Sequence, residues 1–154
     1  MRTQVGIIGA GPAGLMLSHL LHRAGIDSVV LEARSRQYVE ERIRAGVIEH
    51  WAARLLDETG VGAGMRREGL VHEGINFSFE GRLHRFDFQA LIGKHNTVYG
   101  QHEVVKDLYA KRLDDVGQSL FEVAYGSLQS LACPNPRIGF STACENPGLP
   151  SASS

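Results

Sequence analysis

Val5-Gly-Ile-Ile-Gly-Ala-Gly-Pro-Ala-Gly14 passes from a short apolar run straight into a cluster of glycines. The run Gln4 to Ile8 suits a strand buried on both faces. From about Pro12 to Ala24, Leu15, Leu17, Leu20 and Leu21 recur at helical spacings, and Gly25 supplies a stop. Ser28-Val-Val-Leu-Glu32 reads as the next strand. Strand, glycine turn, helix and strand within about 30 residues make a βαβ unit, whose right-handed crossover gives parallel strands. The expected fold class is therefore α/β.

Gly9-Ala10-Gly11-Pro12-Ala13-Gly14 matches G-x-G-x-x-G, a weak signal alone but a strong one between a strand and a helix. Gly9 can take the tight turn, Gly11 lets backbone approach a pyrophosphate, and Gly14 permits close packing of helix on strand. The helix amino terminus then offers unpaired N–H groups and partial positive charge to phosphate, and Pro12 gives up an amide that the first turn would not have paired. Glu32 closes the second strand where a carboxylate can accept hydrogen bonds from a ribose 2′-hydroxyl and disfavours a 2′-phosphate. The site so defined suits FAD or NAD better than NADP. The competing readings are a purely structural glycine turn and a solvated strand-end glutamate.

The 154 residues carry 16 basic and 17 acidic side chains, a net charge of −1, which offers no general field for nucleic acid or anionic membrane. No apolar run approaches the roughly 18–20 residues of a membrane span, and the amino terminus does not read as a leader, so the simplest placement is the cytoplasm. Cys133 and Cys144 lack the close spacing of a metal or redox pair, and no metal site is expected. There is no internal repeat.

Further along, Val47 to Thr59 is expected to be helical, with Val47, Ile48, Trp51, Leu55 and Leu56 on one face. Gly74-Ile-Asn-Phe-Ser-Phe79, the turn Glu80-Gly81 and Arg82 to Phe88 read as an antiparallel hairpin, and His102 to Leu113 as a helix. The composition breaks near residue 118. Only Glu122, Arg137 and Glu145 are charged beyond it, whereas four of the five prolines, both cysteines and seven serines lie there. Residues 124–154 are thus expected to be an irregular or disordered tail, a candidate for frame-altered sequence, following a domain at 1–123.

Four later stretches join the glycine turn and Glu32 in a family resemblance: Tyr38-Val-Glu-Glu-Arg-Ile-Arg-Ala-Gly-Val47, Glu68-Gly-Leu-Val-His-Glu-Gly74, Val98-Tyr-Gly-Gln101 and Glu103-Val-Val-Lys-Asp-Leu108. Together they resemble the para-hydroxybenzoate hydroxylase (4-hydroxybenzoate 3-monooxygenase) family of FAD-dependent aromatic hydroxylases, from Met1 to about Val123. The resemblance implies an incomplete Rossmann-like FAD-binding domain. In the whole enzyme NADPH would reduce FAD, and oxygen would be inserted ortho to the hydroxyl of an aromatic acid.

The resemblance also implies roles for particular residues. Gly9, Gly11, Ala13 and Gly14 would surround the pyrophosphate and Glu32 would meet the ribose. Arg42, Ile43, Arg44, Ala45, Gly46 and Val47 would run beside the cofactor, with Arg44 reaching phosphate or flavin, and Gln101 would add a further FAD contact. A guanidinium suits such work because it stays charged and offers several donors in a fixed fork. Arg34, Arg36 and Tyr38 are assigned secondarily to NADPH. His72 resembles a histidine of the proton network that ionises the phenol. The bland alternatives are a solvated arginine loop, a loop glutamine and a satisfied structural histidine.

The family's substrate-binding sheet, its later acidic FAD contact and its carboxyl-terminal helical part have no counterpart in these residues. The expectation is an amino-terminal fragment, inactive by itself, with homodimerisation left open for the full-length family. A free-standing dinucleotide-binding or regulatory module, or part of another FAD oxidoreductase, is the alternative.

Overall fold

A computed structural model of the chain describes residues 1–130, 132 and 136–142. In chain order the elements begin with β1 (Val5–Ile8), α1 (Pro12–Arg23), β2 (Ser28–Leu31) and α2 (Arg36–Glu41). They continue with β3 (Val47–Ile48), α3 (His50–Thr59), α4 (Ala63–Glu68), β4 (Leu70–His72), β5 (Gly74–Phe79) and β6 (Arg82–Asp87). The last are α5 (Phe88–Ile92), β7 (Asn96–Val98), α6 (Gln101–Asp114), β8 (Gln118–Leu120), β9 (Val123–Gln129) and β10 (Arg137–Thr142). The chain divides into two compact units, residues 1–39 with 112–154, and residues 40–111.

The first unit holds the expected βαβ. Strand β1 lies parallel to β2, Val5 opposite Ser28 and Ile8 opposite Leu31, and β2 lies parallel to β8, Val29 opposite Gln118. The order β1-β2-β8 puts the sequence-distant β8 beside β2 and leaves β1 at an edge among the described strands. Val29, Val30 and Leu31 are buried, as a strand sandwiched on both faces requires. Leu15 on α1 is also buried, but Leu17 and Leu20 are exposed, and the helix buries Ser18 and His19 instead.

The polar stripe on α1 has specific partners. The Arg112 guanidinium, itself 5% exposed, donates to Ser18 Oγ, to the Ser28 carbonyl at 2.9 Å, to the Gln118 carbonyl at 2.5 Å and to Ser119 Oγ at 3.0 Å. His19 Nδ1 and His22 Nε2 each lie 3.7 Å from the Asp115 carboxylate. Gly117 packs against the Arg112 side chain, where a Cβ would meet its Cγ at 2.7 Å.

Two expectations are corrected here. The segment from Val47 does not begin as helix: Val47 and Ile48 pair with Val98 and Thr97 as β3, and the helix starts at His50. Two β-branched residues side by side favour the pleated ladder over the helix they were assigned to. The expected tail is not irregular at 124–129 and 137–142, where β9 and β10 form an antiparallel hairpin with a register shift at Gly139 and Phe140. Ile138 of this hairpin lies over Gly6 of β1, where a Cβ would stand 2.7 Å from Ile138 Cδ1. Residues 131, 133–135 and 143–154 of the expected tail lie outside the described residues.

The second unit contains the three-stranded sheet β3-β7-β4, antiparallel at both pairings, and the hairpin β5-β6. The hairpin lies where expected, with Ile75, Phe77 and Phe79 opposite Phe86, His84 and Arg82, but its second strand ends at Asp87 and Phe88 opens α5. Helix α3 ends on Gly60 at φ 87°, a left-handed cap that glycine takes without penalty. Trp51 on α3 is 64% exposed, with Lys94 Nζ 4.2 Å from its ring centre. No helix among the described residues is long and apolar enough to cross a membrane.

Candidate functional site

Within the first unit, the backbone at Gly9 has φ 105°, the left-handed region in which a side chain is strained, so the chain can leave β1 sharply at this point. Gly9 N–H still donates to the Leu31 carbonyl at 2.7 Å, which ties the turn to β2. A Cβ on Gly14 would collide with the Gly9 carbonyl oxygen and stand 3.3 Å from Ile7 Cγ2, so the third glycine lets α1 approach β1. A Cβ on Gly11 would meet nothing within 4 Å. The second glycine therefore borders open space.

Helix α1 opens into that space. Its N-cap is Gly11, no side chain caps it, Pro12 opens the first turn, and no acidic residue lies in that turn. The amides of Ala13 and Gly14 belong to the first turn, whose N–H groups have no intrahelical acceptor. An anion is the natural partner for such an end.

Glu32 borders the same turn. Its Oε2 accepts from Ala10 N–H at 2.8 Å and its Oε1 from Arg34 N–H at 2.9 Å. A carboxylate has about four lone-pair sites, so two backbone bonds fix the group while leaving acceptors for a hydroxyl. Beyond Glu32 an open cleft of about 530 Å³ is lined by Ala33, Arg34, Ser35 and Tyr38 on one side and by Glu122, Val123 and Ala124 on the other. The Arg34 guanidinium lies 5.4 Å from the centre of the Tyr38 ring. Hydrogen bonds from Val123 N–H to the Glu32 carbonyl and from Glu122 N–H to the Arg34 carbonyl hold the two walls together.

In the second unit, Arg42, Ile43, Arg44 and Ala45 form an exposed loop outside helix and strand, with Ile43 80% exposed. Arg44 has no hydrogen-bond or ion-pair partner among the described residues. Gly46 is packed against the turn before α6. Its carbonyl accepts from Tyr99 N–H at 2.8 Å, and a Cβ there would collide with the Tyr99 carbonyl oxygen and stand 2.6 Å from Gly100 Cα. Val47 pairs with Val98, and Gln101 begins α6. This unit therefore brings Gly46, Val47 and the segment leading to Gln101 together through β3 and β7. His72 ends β4 opposite Asn96, half-buried, its ring edge-on to Phe88 at 6.4 Å. Its Nδ1 is buried and has no hydrogen-bond partner among the described residues.

Sequence reasoning missed Tyr99 and Asp107. The Tyr99 phenol, 5% exposed, donates to Asp107 Oδ2 at 2.8 Å. Burial raises the Asp107 carboxyl above the ordinary carboxylate range, and burial followed by the Asp107 bond raises the Tyr99 phenol. The available signal was the stretch Val98 to Leu108, whose tyrosine and aspartate fall on opposite sides of a helix start.

A parallel βαβ unit, a glycine turn open at its second glycine and a carboxylate at the second strand's end together define a dinucleotide-binding domain. The family model described as FAD binding domain matches residues 2–130, and the chain belongs to that family. Within it, the chain is 50% identical over 113 residues to p-hydroxybenzoate hydroxylase of Acinetobacter baylyi, a match covering 73% of this chain and 28% of that protein. It is 36% identical over 110 residues to 6-methylpretetramide 4-monooxygenase of Streptomyces rimosus, covering 69% and 26%. Among solved structures, the anhydrotetracycline hydroxylase OxyS of Streptomyces rimosus superposes with a TM-score of 0.79 at 26% identity, over 93% of this chain and 29% of that one. The chain thus spans little more than a quarter of the length of these relatives.

Proposed function

We propose that this chain is the FAD-binding part of a flavin monooxygenase that uses NADPH and dioxygen to hydroxylate a phenolic acid, 4-hydroxybenzoate or a near analogue, ortho to its hydroxyl. The observation that carries the reading is the uncapped amino terminus of α1, left open at Gly11 and bordered by the Glu32 carboxylate. Gly9, Gly11, Ala13 and Gly14 would hold the pyrophosphate, with the first-turn amides as donors. Glu32 would accept from the ribose. Arg42 to Val47 and Gln101 would take the remainder of the cofactor, Arg44 supplying an uncommitted guanidinium. When bound, the flavin supplies acceptance of hydride from NADPH and activation of dioxygen.

The protein's own residues would do the rest. The cleft at Arg34 and Tyr38, with Arg36 on α2, offers NADPH cationic and aromatic contacts. His72 would carry a proton at Nδ1 in the relay that ionises the phenol. The 50% identity to the Acinetobacter hydroxylase supports the substrate class. Cytoplasmic placement and homodimerisation of the full-length protein complete the reading.

Titrating the purified chain with FAD while following flavin fluorescence tests the cofactor, and 4-hydroxybenzoate-dependent NADPH oxidation tests the reaction. Saturable quenching without turnover is expected, because the segments that would contact the aromatic acid are not in this sequence. Absence of saturable binding would overturn the cofactor reading. Robust turnover by the chain alone would overturn its expected inactivity.

A further inference from the structure

Tyr99 stands where three parts of the second unit meet. Its N–H is bonded to the Gly46 carbonyl at 2.8 Å, and it precedes Gly100 and Gln101 at the start of α6. The contact at Gly46 is tight enough that a side chain there would collide with the 99–100 backbone. The phenol reaches the other way, to Asp107 on the second turn of α6. Gly64 on α4 closes over this pair, and a Cβ on it would run into both the phenol oxygen and the Asp107 carboxylate. One side chain is thereby fixed to two helices while its backbone grips the cofactor loop.

We infer that Tyr99 is a positioning residue for FAD: with its phenol anchored on Asp107, it holds Gly46 of the 42–47 loop and Gln101 of α6 at a set spacing. This rests on the assignment of Gly46 and Gln101 to FAD. Neither Tyr99 nor Asp107 touches the cofactor in this scheme. What the pair supplies is a spacing that exists before binding, so that ordering the loop is not charged against affinity when FAD arrives.

The test uses the full chain and three variants, Tyr99→Phe, Asp107→Ser and Asp107→Asn. Asparagine keeps an acceptor for the phenol, whereas serine is too short to reach it. The readouts are the FAD dissociation constant, the visible circular dichroism of bound flavin, and hydrogen exchange of the apo chain at residues 46–48 and 99–101. Loss of one partly buried hydrogen bond is expected to raise the dissociation constant about threefold to tenfold in Tyr99→Phe and Asp107→Ser. Both should alter the flavin dichroism and speed exchange in the two segments, while Asp107→Asn keeps the wild-type affinity and dichroism and does not speed exchange. Unchanged affinity and unchanged exchange in Tyr99→Phe would overturn the inference, and so would Asp107→Asn behaving like Asp107→Ser. Should Tyr99→Phe fail to fold, the two Asp107 variants decide. Should the wild type bind no FAD while exchange still responds as described, the cofactor assignment fails and the positioning stands.

Discussion

At the scale of single residues, Gly11 and Gly14 share a motif but have opposite surroundings. A methyl group at Gly11 meets no protein atom within 4 Å, and its backbone, at φ −73°, is one that alanine adopts freely. Gly11→Ala should therefore leave the melting of the apo chain within about 0.5 kcal/mol of wild type while weakening FAD binding tenfold or more, since on the proposed assignment the methyl would occupy the pyrophosphate's space. Gly14→Ala should instead lower apo stability by roughly 1–3 kcal/mol, because the Gly9 carbonyl must move. Thermal melts beside FAD titrations separate the two. Asp107 yields a pH prediction. Burial raises its folded pKa above the unfolded value, so the ionised carboxylate opposes folding at neutral pH, and that cost fades as pH falls through the folded pKa toward the unfolded one. Asp107→Asn should thus melt higher than wild type near pH 7 and lose that advantage as pH approaches 4. The turn at Gly9, the close packing at Gly14 and the place of Glu32 beside them were legible in the sequence because their geometry is local. Tyr99 and Asp107 were not, because their pairing across eight residues follows neither a helical nor a strand period, and Arg112 was not, because Ser18 and Ser28 lie far from it in sequence.

At the scale of elements, α1 shows why an apolar spacing names a helix more safely than its buried face. Leu15, Leu17, Leu20 and Leu21 gave the helix its bounds, yet the face turned inward carries Leu15, Ser18 and His19. Polar residues occupy it because Arg112 and Asp115 stand opposite them. Leu15→Ala should consequently cost about 2–5 kcal/mol and Leu17→Ala well under 1, as measured by denaturant unfolding. The β5-β6 hairpin was legible from its alternation and its Glu80-Gly81 turn, which needs positive φ at both positions and has it. Strand β3 was hidden inside an apparent helical period because two residues carry no period of their own. Hairpin β9-β10 was hidden for a different reason. Its strands are joined through a proline-rich connection and its ladder is interrupted at Gly139, so neither a short turn nor a clean alternation marks it.

At the scale of the whole chain, the first unit is discontinuous in sequence, built from residues 1–39 and from 112 onward. Arg112 belongs to the second of these segments and bonds to Ser18 and Ser28 in the first. Arg112→Leu should cost on the order of 3 kcal/mol, since the buried Ser18 hydroxyl and the part-buried carbonyls of Ser28 and Gln118 lose a charged donor, and Arg112→Lys should recover little of it, an ammonium being unable to span the same acceptors. Urea unfolding of the three chains measures both. The same arrangement sets an order of events during synthesis. A nascent chain carries the complete glycine turn and Glu32 well before it carries β8. It has no partner for the outer side of β2 until β8 follows, at residues 118–120. The glycine turn is thus made well before β8 locks the sheet beside it, and through that interval its strands must be kept from pairing with other chains.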